Sequence, residues 1–269
     1  MRPFRSLALS LPLTFGLWSL VGGQNQPSQP PEFVHVITVT ARAGAIAEFE
    51  AFQKRIKASA DKLNAPQGWL TSYVTIGGPS RTYSIVLPFR KWSEVDAWIP
   101  VPQMLIKAYG EAEGMRILKA GSAATEHTET EVYRLLPQLS THPRFPNPPA
   151  PFVHLFVTEV EPAMVPRWEG FLARLRTAQE KSPQAPTAVR WVSVLGAGNT
   201  YVTAVPFNKF ADRDGWPTNL AILREAYGEA EARTLDETRL RSTRNARQMV
   251  LTYRPDLSRP PTGSAAASQ

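Results

Sequence analysis

The chain repeats itself, and the repeat constrains its fold more than any other feature. Arg81 to Trp98 reads RTYSIVLPFRKWSEVDAW, and Asn199 to Trp216, 118 positions later, reads NTYVTAVPFNKFADRDGW. Thr82, Tyr83, Pro88, Phe89, Lys91, Asp96 and Trp98 recur as Thr200, Tyr201, Pro206, Phe207, Lys209, Asp214 and Trp216. Ala108 to Glu113 (AYGEAE) returns unchanged as Ala226 to Glu231, and Phe33-Val34-His35 returns as Phe152-Val153-His154 at an offset of 119. The halves close on Tyr133-Arg134 and Tyr253-Arg254, and then on PQLS and PDLS. Collinear matches at offsets of 118 to 120 across each half point to tandem duplication of a single unit.

The repeat divides the 269 residues into copies at 33–140 and 152–258. Between them, 141–151 belong to a stretch, Pro137 to Pro151, in which six of fifteen residues are Pro. Pro fixes φ and removes a donor, so a stiff, extended linker is expected. Residues 24–32 read as a polar, Pro-rich lead-in and 259–269 as a small, polar tail, both expected to be disordered. Residues 1–23 carry Arg2 and Arg5, an apolar run from Ser6 to Val21 broken by Pro12 and Gly16, and small residues before Gln24. That order is the three-part form of a secretory signal peptide, which predicts a secreted or periplasmic protein with no membrane span after its removal.

Charge and cysteine content exclude several classes of function. The formal charge is +7, but 33–140 carry twelve Lys/Arg against ten Asp/Glu, and 152–258 fourteen against twelve. Each copy is only +2, with no long basic run, so no nucleic-acid partner is expected. Arg239, Arg241, Arg244 and Arg247 form the one basic cluster, expected to be a solvated helix C-terminus. Cys is 0, which excludes disulfides, iron–sulfur clusters and thiolate zinc sites. No HxH, HExxH or Asp-rich loop is present, so no metal is expected.

Within one copy, Phe33–Thr40 is β-branched and bounded by Pro and Gly, hence a strand. Ile46, Phe49, Phe52, Ile56, Ala60 and Leu63 step by three and four, the stripe of an amphipathic helix. Trp69–Ile76 and Thr82–Leu87 read as strands joined by Gly77-Gly78-Pro79-Ser80. A helical turn over Ser93–Ile99, a longer helix over Met104–Ala120 and a strand over Glu129–Leu135 follow. The order βαββαβ is the ferredoxin-like split unit. The predicted fold is therefore α+β: two tandem ferredoxin-like βαββαβ repeats packing sheet to sheet into an intramolecular α+β barrel, a pseudo-dimer within one chain.

The FVHVITV strand, the Gly-started helix with its aromatic stripe, and the paired strands ending in Pro-Phe resemble the dimeric α+β barrel superfamily. That superfamily includes antibiotic-biosynthesis monooxygenases, NIPSNAP-type proteins and stress-responsive A/B barrels. The resemblance covers both copies and implies that substrates sit inside the barrel. The tandem form also resembles chlorite-dismutase-like proteins in architecture, which implies a haem variant, but no proximal-His motif matches here. No catalytic residue transfers by resemblance, and no cofactor is expected.

Candidate site residues come from the matched positions. His35 and His154 lie at equivalent points of the first strand among apolar neighbours. Such an imidazole serves either as a base or ligand titrating near neutral pH, or as a buried, hydrogen-bonded core group. Phe33, His35, Ile37 and Val39 form one face and Val34, Val36, Thr38 and Thr40 the other; both are apolar enough to point inward. Tyr83, Tyr201, Trp98 and Trp216 are candidates to stack on a flat ligand, or core aromatics. Tyr109 and Tyr227 head the repeated AYGEAE block, where Tyr109 and Glu113 at i and i+4 would share a helix face. Gly110 and Gly228, unfavourable inside a helix, are expected at a close contact across the pseudo-twofold axis, where a larger side chain overpacks. Three readings follow: a protein that binds a small apolar or aromatic molecule in the barrel, a cofactor-independent monooxygenase-like enzyme with a repeated His or Tyr as base, and a structural or interaction module.

Intact-mass analysis of protein from its native host is expected to place the mature N-terminus near Gln24. A retained Met1 in a soluble cytosolic fraction would rule out the signal peptide.

Overall fold

A computed structural model describes residues 31–141 and 148–261. The predicted signal peptide, most of the predicted lead-in and tail, and the linker segment 142–147 lie outside the described residues. In chain order the elements are β1 (Phe33–Ala41), α1 (Ile46–Lys62), β2 (Leu70–Ile76), β3 (Thr82–Phe89), α2 (Trp92–Val95), α3 (Val101–Tyr109), α4 (Glu111–Ala124) and β4 (Thr125–Leu135). They are followed by β5 (Phe152–Val160), α5 (Val165–Lys181), β6 (Val189–Leu195), β7 (Thr200–Phe207), α6 (Asn219–Tyr227), α7 (Glu229–Ser242) and β8 (Thr243–Tyr253).

The strands form one closed antiparallel barrel in the order β1-β3-β2-β8-β5-β7-β6-β4. The expected barrel is present. The half-sheets join edge to edge through hydrogen-bonded pairs, β2 with β8 (Tyr73 opposite Thr252) and β4 with β6 (Leu135 opposite Trp191). A half-sheet alone would leave two rows of unpaired N–H and C=O groups, and closure removes all four edges.

The face of β1 left open by the sequence is now fixed. Val34 and Val36 point into the lumen, which they occupy together with Val86, Tyr133, Leu135, Val189, Trp191 and Val202. Ile37, Val39 and Ala41 point outward against Phe49 and Ile56 of α1. In the second half, Val160 and Tyr201 pack likewise against Trp168, Phe171 and Leu175 of α5. The helices therefore roof the outer faces of the barrel, and a cluster of apolar side chains occupies the lumen. At ~1.5–3 kcal/mol per large side chain, each roof is a principal source of stability.

The PQLS and PDLS segments are clasps that cross between halves. The Trp69 indole donates to the Leu257 carbonyl (2.9 Å), and the Thr71 amide to Ser258 Oγ (2.8 Å). In the other direction, the Arg190 amide donates to Ser140 Oγ (2.8 Å). Arg254 forms a two-point ion pair with Glu50, which also accepts from the Tyr83 hydroxyl (2.7 Å). Arg254 holds the Glu50 carboxyl below the usual carboxylate range, more than burial raises it.

Several expectations are corrected. Arg259 to Pro261, assigned to a disordered tail, are ordered: Arg259 pairs with Trp69 through two backbone hydrogen bonds and with Asp61 at 2.8 Å. Gly68 lies so close to this segment that a Cβ would meet Pro261 backbone atoms at 2.5 Å. The single helix expected over Met104–Ala120 is two helices that meet at Gly110, just as α6 and α7 meet at Gly228. Tyr109 and Glu113 thus belong to different helices and share no face. Gly110 (φ +85°) and Gly228 (φ +83°) have open space where a Cβ would stand, so they are not contact positions at a pseudo-twofold axis. Their ψ values of 163° and 166° put them in a region that only Gly occupies readily.

Gly110→Ala and Gly228→Ala are each expected to destabilise by about 1–3 kcal/mol through backbone strain alone. Gly170→Ala, on the exposed face of α5 with open space around it, is expected to stabilise by up to about 1 kcal/mol. Urea unfolding distinguishes the two signs, and an unchanged Gly110→Ala midpoint would contradict the strain.

Candidate functional site: a cavity between the second half-sheet and its helices

The candidate site lies outside the lumen. A cavity of about 240 Å³ sits between the outer face of β5–β8 and the roof of α5, α6 and α7. Its floor includes one cross-strand row, Arg190, Thr203, Phe156 and Gln248, because antiparallel register brings these four residues side by side on one face. Trp168, Leu172, Leu175 and Gln179 of α5 and Ile222 of α6 form the roof, and Trp216 closes one side.

Register across the halves explains why the space exists here. Ala188 stands where the first half has Trp69, Arg190 where it has Thr71, Gln179 where it has Ala60, and Thr203 where it has Ile85. In the first half Trp69 and Ile85 are core residues between sheet and helices. The second half replaces both with smaller side chains and sets an arginine and a glutamine into the wall.

Arg190 is 2% exposed. Its guanidinium donates to the Leu139 carbonyl and, at 2.8 Å, to Gln179 Oε1. Nε has no partner, and no carboxylate among the described residues pairs with this side chain. Burial lowers its pKa to about 10, helped by the nearby Arg176, so it stays cationic at neutral pH. The Trp168 indole N–H in the same wall is also buried and without a partner. Arg239 and Arg247 contribute to the lining, so part of the Arg239–Arg247 cluster faces this cavity rather than forming only a solvated helix end. The lining contains three arginines and no acidic residue.

The sequence-derived candidates are dispersed. Trp216 lines the cavity. His154, 5% exposed, lies one cross-strand row away, with Phe156 at 4.0 Å between ring centroids. Its Nδ1 is buried without a partner. His35 stacks on Trp98 in the first half at 6.0 Å. Tyr83 and Tyr201 lie in the helix–sheet cores and donate to Glu50 (2.7 Å) and Glu169 (2.8 Å). Burial, then the adjacent carboxylate, raises both phenol pKa values, so neither is poised to act as a base at neutral pH. Tyr109 and Tyr227 sit on the helices, near Arg55 and beneath Arg174, with the Tyr227 hydroxyl donating to the Arg174 carbonyl (2.9 Å). Arg190, Gln179, Thr203 and Gln248 escaped the sequence reading because they are unmatched between the copies.

Among the described residues no group of three or more His, Asp or Glu side chains is placed to hold a metal ion. The cavity lining includes no His, Cys, Met or Tyr, so it offers no axial ligand for haem iron. No helix among the described residues is long and apolar enough to cross a membrane.

No protein-family model matches the chain, and no curated protein matches its sequence. Its fold has relatives among solved structures. Two are described as "putative monooxygenase". One, from Lactobacillus acidophilus NCFM, shows 10% identity, a TM-score of 0.50, and coverage of 86% of this chain and 97% of that one. The other, from Fusobacterium nucleatum, shows 9% identity, a TM-score of 0.51, and coverage of 84% and 93%. A tryptophan-to-phenylalanine variant of chlorite dismutase from Candidatus Nitrospira defluvii, in complex with cyanide, shows 8% identity, a TM-score of 0.51, and coverage of 85% and 93%. These structures share an α+β barrel fold with this chain. At such identities the likeness is one of fold.

Burial lowers the pKa of both His35 and His154, and Arg213 lowers that of His154 further. The folded state therefore favours neutral imidazoles, and the unfolded chain takes up protons first on acidification. Stability is expected to be full above the unfolded value near 6.5 and to fall as pH drops from there towards the lower folded values. His35→Gln and His154→Gln are each expected to flatten this fall in urea midpoints measured from pH 8 to 5. Unchanged slopes would mean that the rings are not held neutral.

Proposed function

We propose that this is an exported protein, built from two ferredoxin-like repeats that arose by tandem duplication, which binds one small, largely apolar or aromatic molecule in the second-half cavity. The observation that carries this reading is the cavity itself. Residues that fill the helix–sheet core of one half are replaced by smaller ones at the same places in the other, and the space they leave is walled by Trp168, Phe171, Leu172, Leu175 and Trp216. Concave, mostly apolar sites with a few fixed polar groups are the usual form of small-molecule sites. About 240 Å³ lies just below the range of roughly 300–1,000 Å³ typical of larger ligands. A dry cavity of about 150 Å³ accepts benzene, so this one suits a single ring with a short substituent.

The monooxygenase-like reading keeps one observation in its favour. His154 lies one cross-strand row from the cavity floor and has a ring nitrogen without a partner. A base at this position would make turnover, but not ligand affinity, sensitive to His154→Gln.

Ala188→Trp, which restores the residue found at the equivalent place in the first half, tests the binding reading. With 2-phenylethanol as a neutral probe followed by calorimetry, wild-type protein is expected to bind and Ala188→Trp to lose at least about tenfold in affinity, with the barrel still folded. Equal affinity in the two proteins would place the probe elsewhere and remove the cavity from the account.

A further inference from the structure

The buried Arg190 has no structural explanation within the fold. The equivalent position in the first half is Thr71, whose hydroxyl donates to the Leu257 carbonyl at 3.2 Å. Arg190 makes the matching contact to the Leu139 carbonyl, so a threonine suffices for the clasp. The guanidinium brings a full charge with it. Burying a charge without a counter-charge is costly, and such groups are normally paired. Arg254 and Arg259, also held at the junction of the halves, follow that rule, the first with Glu50 and Asp256 and the second with Asp61. Arg190 does not: its acceptors are a carbonyl and an amide oxygen, and its nearest charged influence, Arg176, is repulsive.

Three further observations lie in the same wall. Nε of Arg190 and Nε1 of Trp168 are buried donors with no acceptor. The lining has positive groups and no negative ones. The Leu139 carbonyl and Gln179 Oε1, by accepting from the two terminal guanidinium nitrogens, fix the plane of the group. A planar cation held in one orientation matches the geometry of a carboxylate.

We infer that the cavity takes a small organic acid, with its ring or short chain among Trp168, Leu172, Leu175 and Trp216 and its carboxylate on Arg190. This rests on the binding site proposed above and names the chemical class of its ligand. The carboxylate would be the missing counter-ion of Arg190. The apolar body would be held by the packing that a neutral analogue also enjoys, so affinity divides into two separately measurable parts.

The test compares matched acid and amide pairs, phenylacetate with phenylacetamide and octanoate with octanamide, on the wild-type chain and on Arg190→Met. Calorimetry at neutral pH is expected to show at least one acid binding wild type about tenfold or more tighter than its amide. Arg190→Met is expected to bring that acid down to the level of the amide while leaving the amide unchanged. If acid and amide bind wild type equally, or the acid keeps its affinity in Arg190→Met, the inference is overturned. The cavity reading then still stands, provided that Ala188→Trp abolishes binding of both. If no acid and no amide binds wild type, the cavity reading falls and this inference falls with it. The acid–amide comparison on wild type decides the matter even if Arg190→Met fails to fold.

Discussion

Two strand pairings hold the structure together. β2 with β8 and β4 with β6 are the contacts by which each half-sheet finds partners for its edges, and neither half can satisfy its backbone without the other. Everything else follows from that closure. The inner faces meet across a narrow lumen occupied by Val, Tyr, Leu and Trp side chains. The outer faces are left for the helices, each half roofing its own. The clasps then lie across the seams, so Trp69 and Thr71 of one half are tied to Leu257 and Ser258 of the other.

Much of the fold was legible in the sequence because its signals are local. The β-branched run Phe33–Thr40 and the stripe from Ile46 to Leu63 each declare their period without help from distant residues. Two features were not legible. Met104–Ala120 has a nearly unbroken helical pattern, and nothing in AYGEAE announces that Gly110 takes a positive φ and turns the chain into a second helix. The orientation of β1 was also undetermined, because both faces are apolar; only the partners across the barrel show that Val34 faces the lumen and Val39 the helix.

The candidate site was missed for a related reason. Matched residues mark what both halves need, and that proved largely to be packing: Tyr83 and Tyr201 each donate to a carboxylate in a core. A cavity present in one half is marked instead by positions at which the copies disagree. Arg190 against Thr71, Ala188 against Trp69 and Thr203 against Ile85 carry that signal, and it becomes readable once the copies are aligned residue by residue. Of the residues singled out from sequence, Trp216 and two arginines of the basic cluster, Arg239 and Arg247, line the cavity, and His154 lies one cross-strand row away.

Joining both half-barrels in one polypeptide changes what substitution can do. In a symmetric homodimer every residue appears twice, so an unpaired buried cation would be incurred in both subunits, and a residue shrunk to open one cavity would open two. Here Trp69 keeps the first half solid while Ala188 opens the second. Such a chain can open a cavity in one half while Trp69 and Ile85 fill the equivalent places in the other, so size and charge at the two places vary independently.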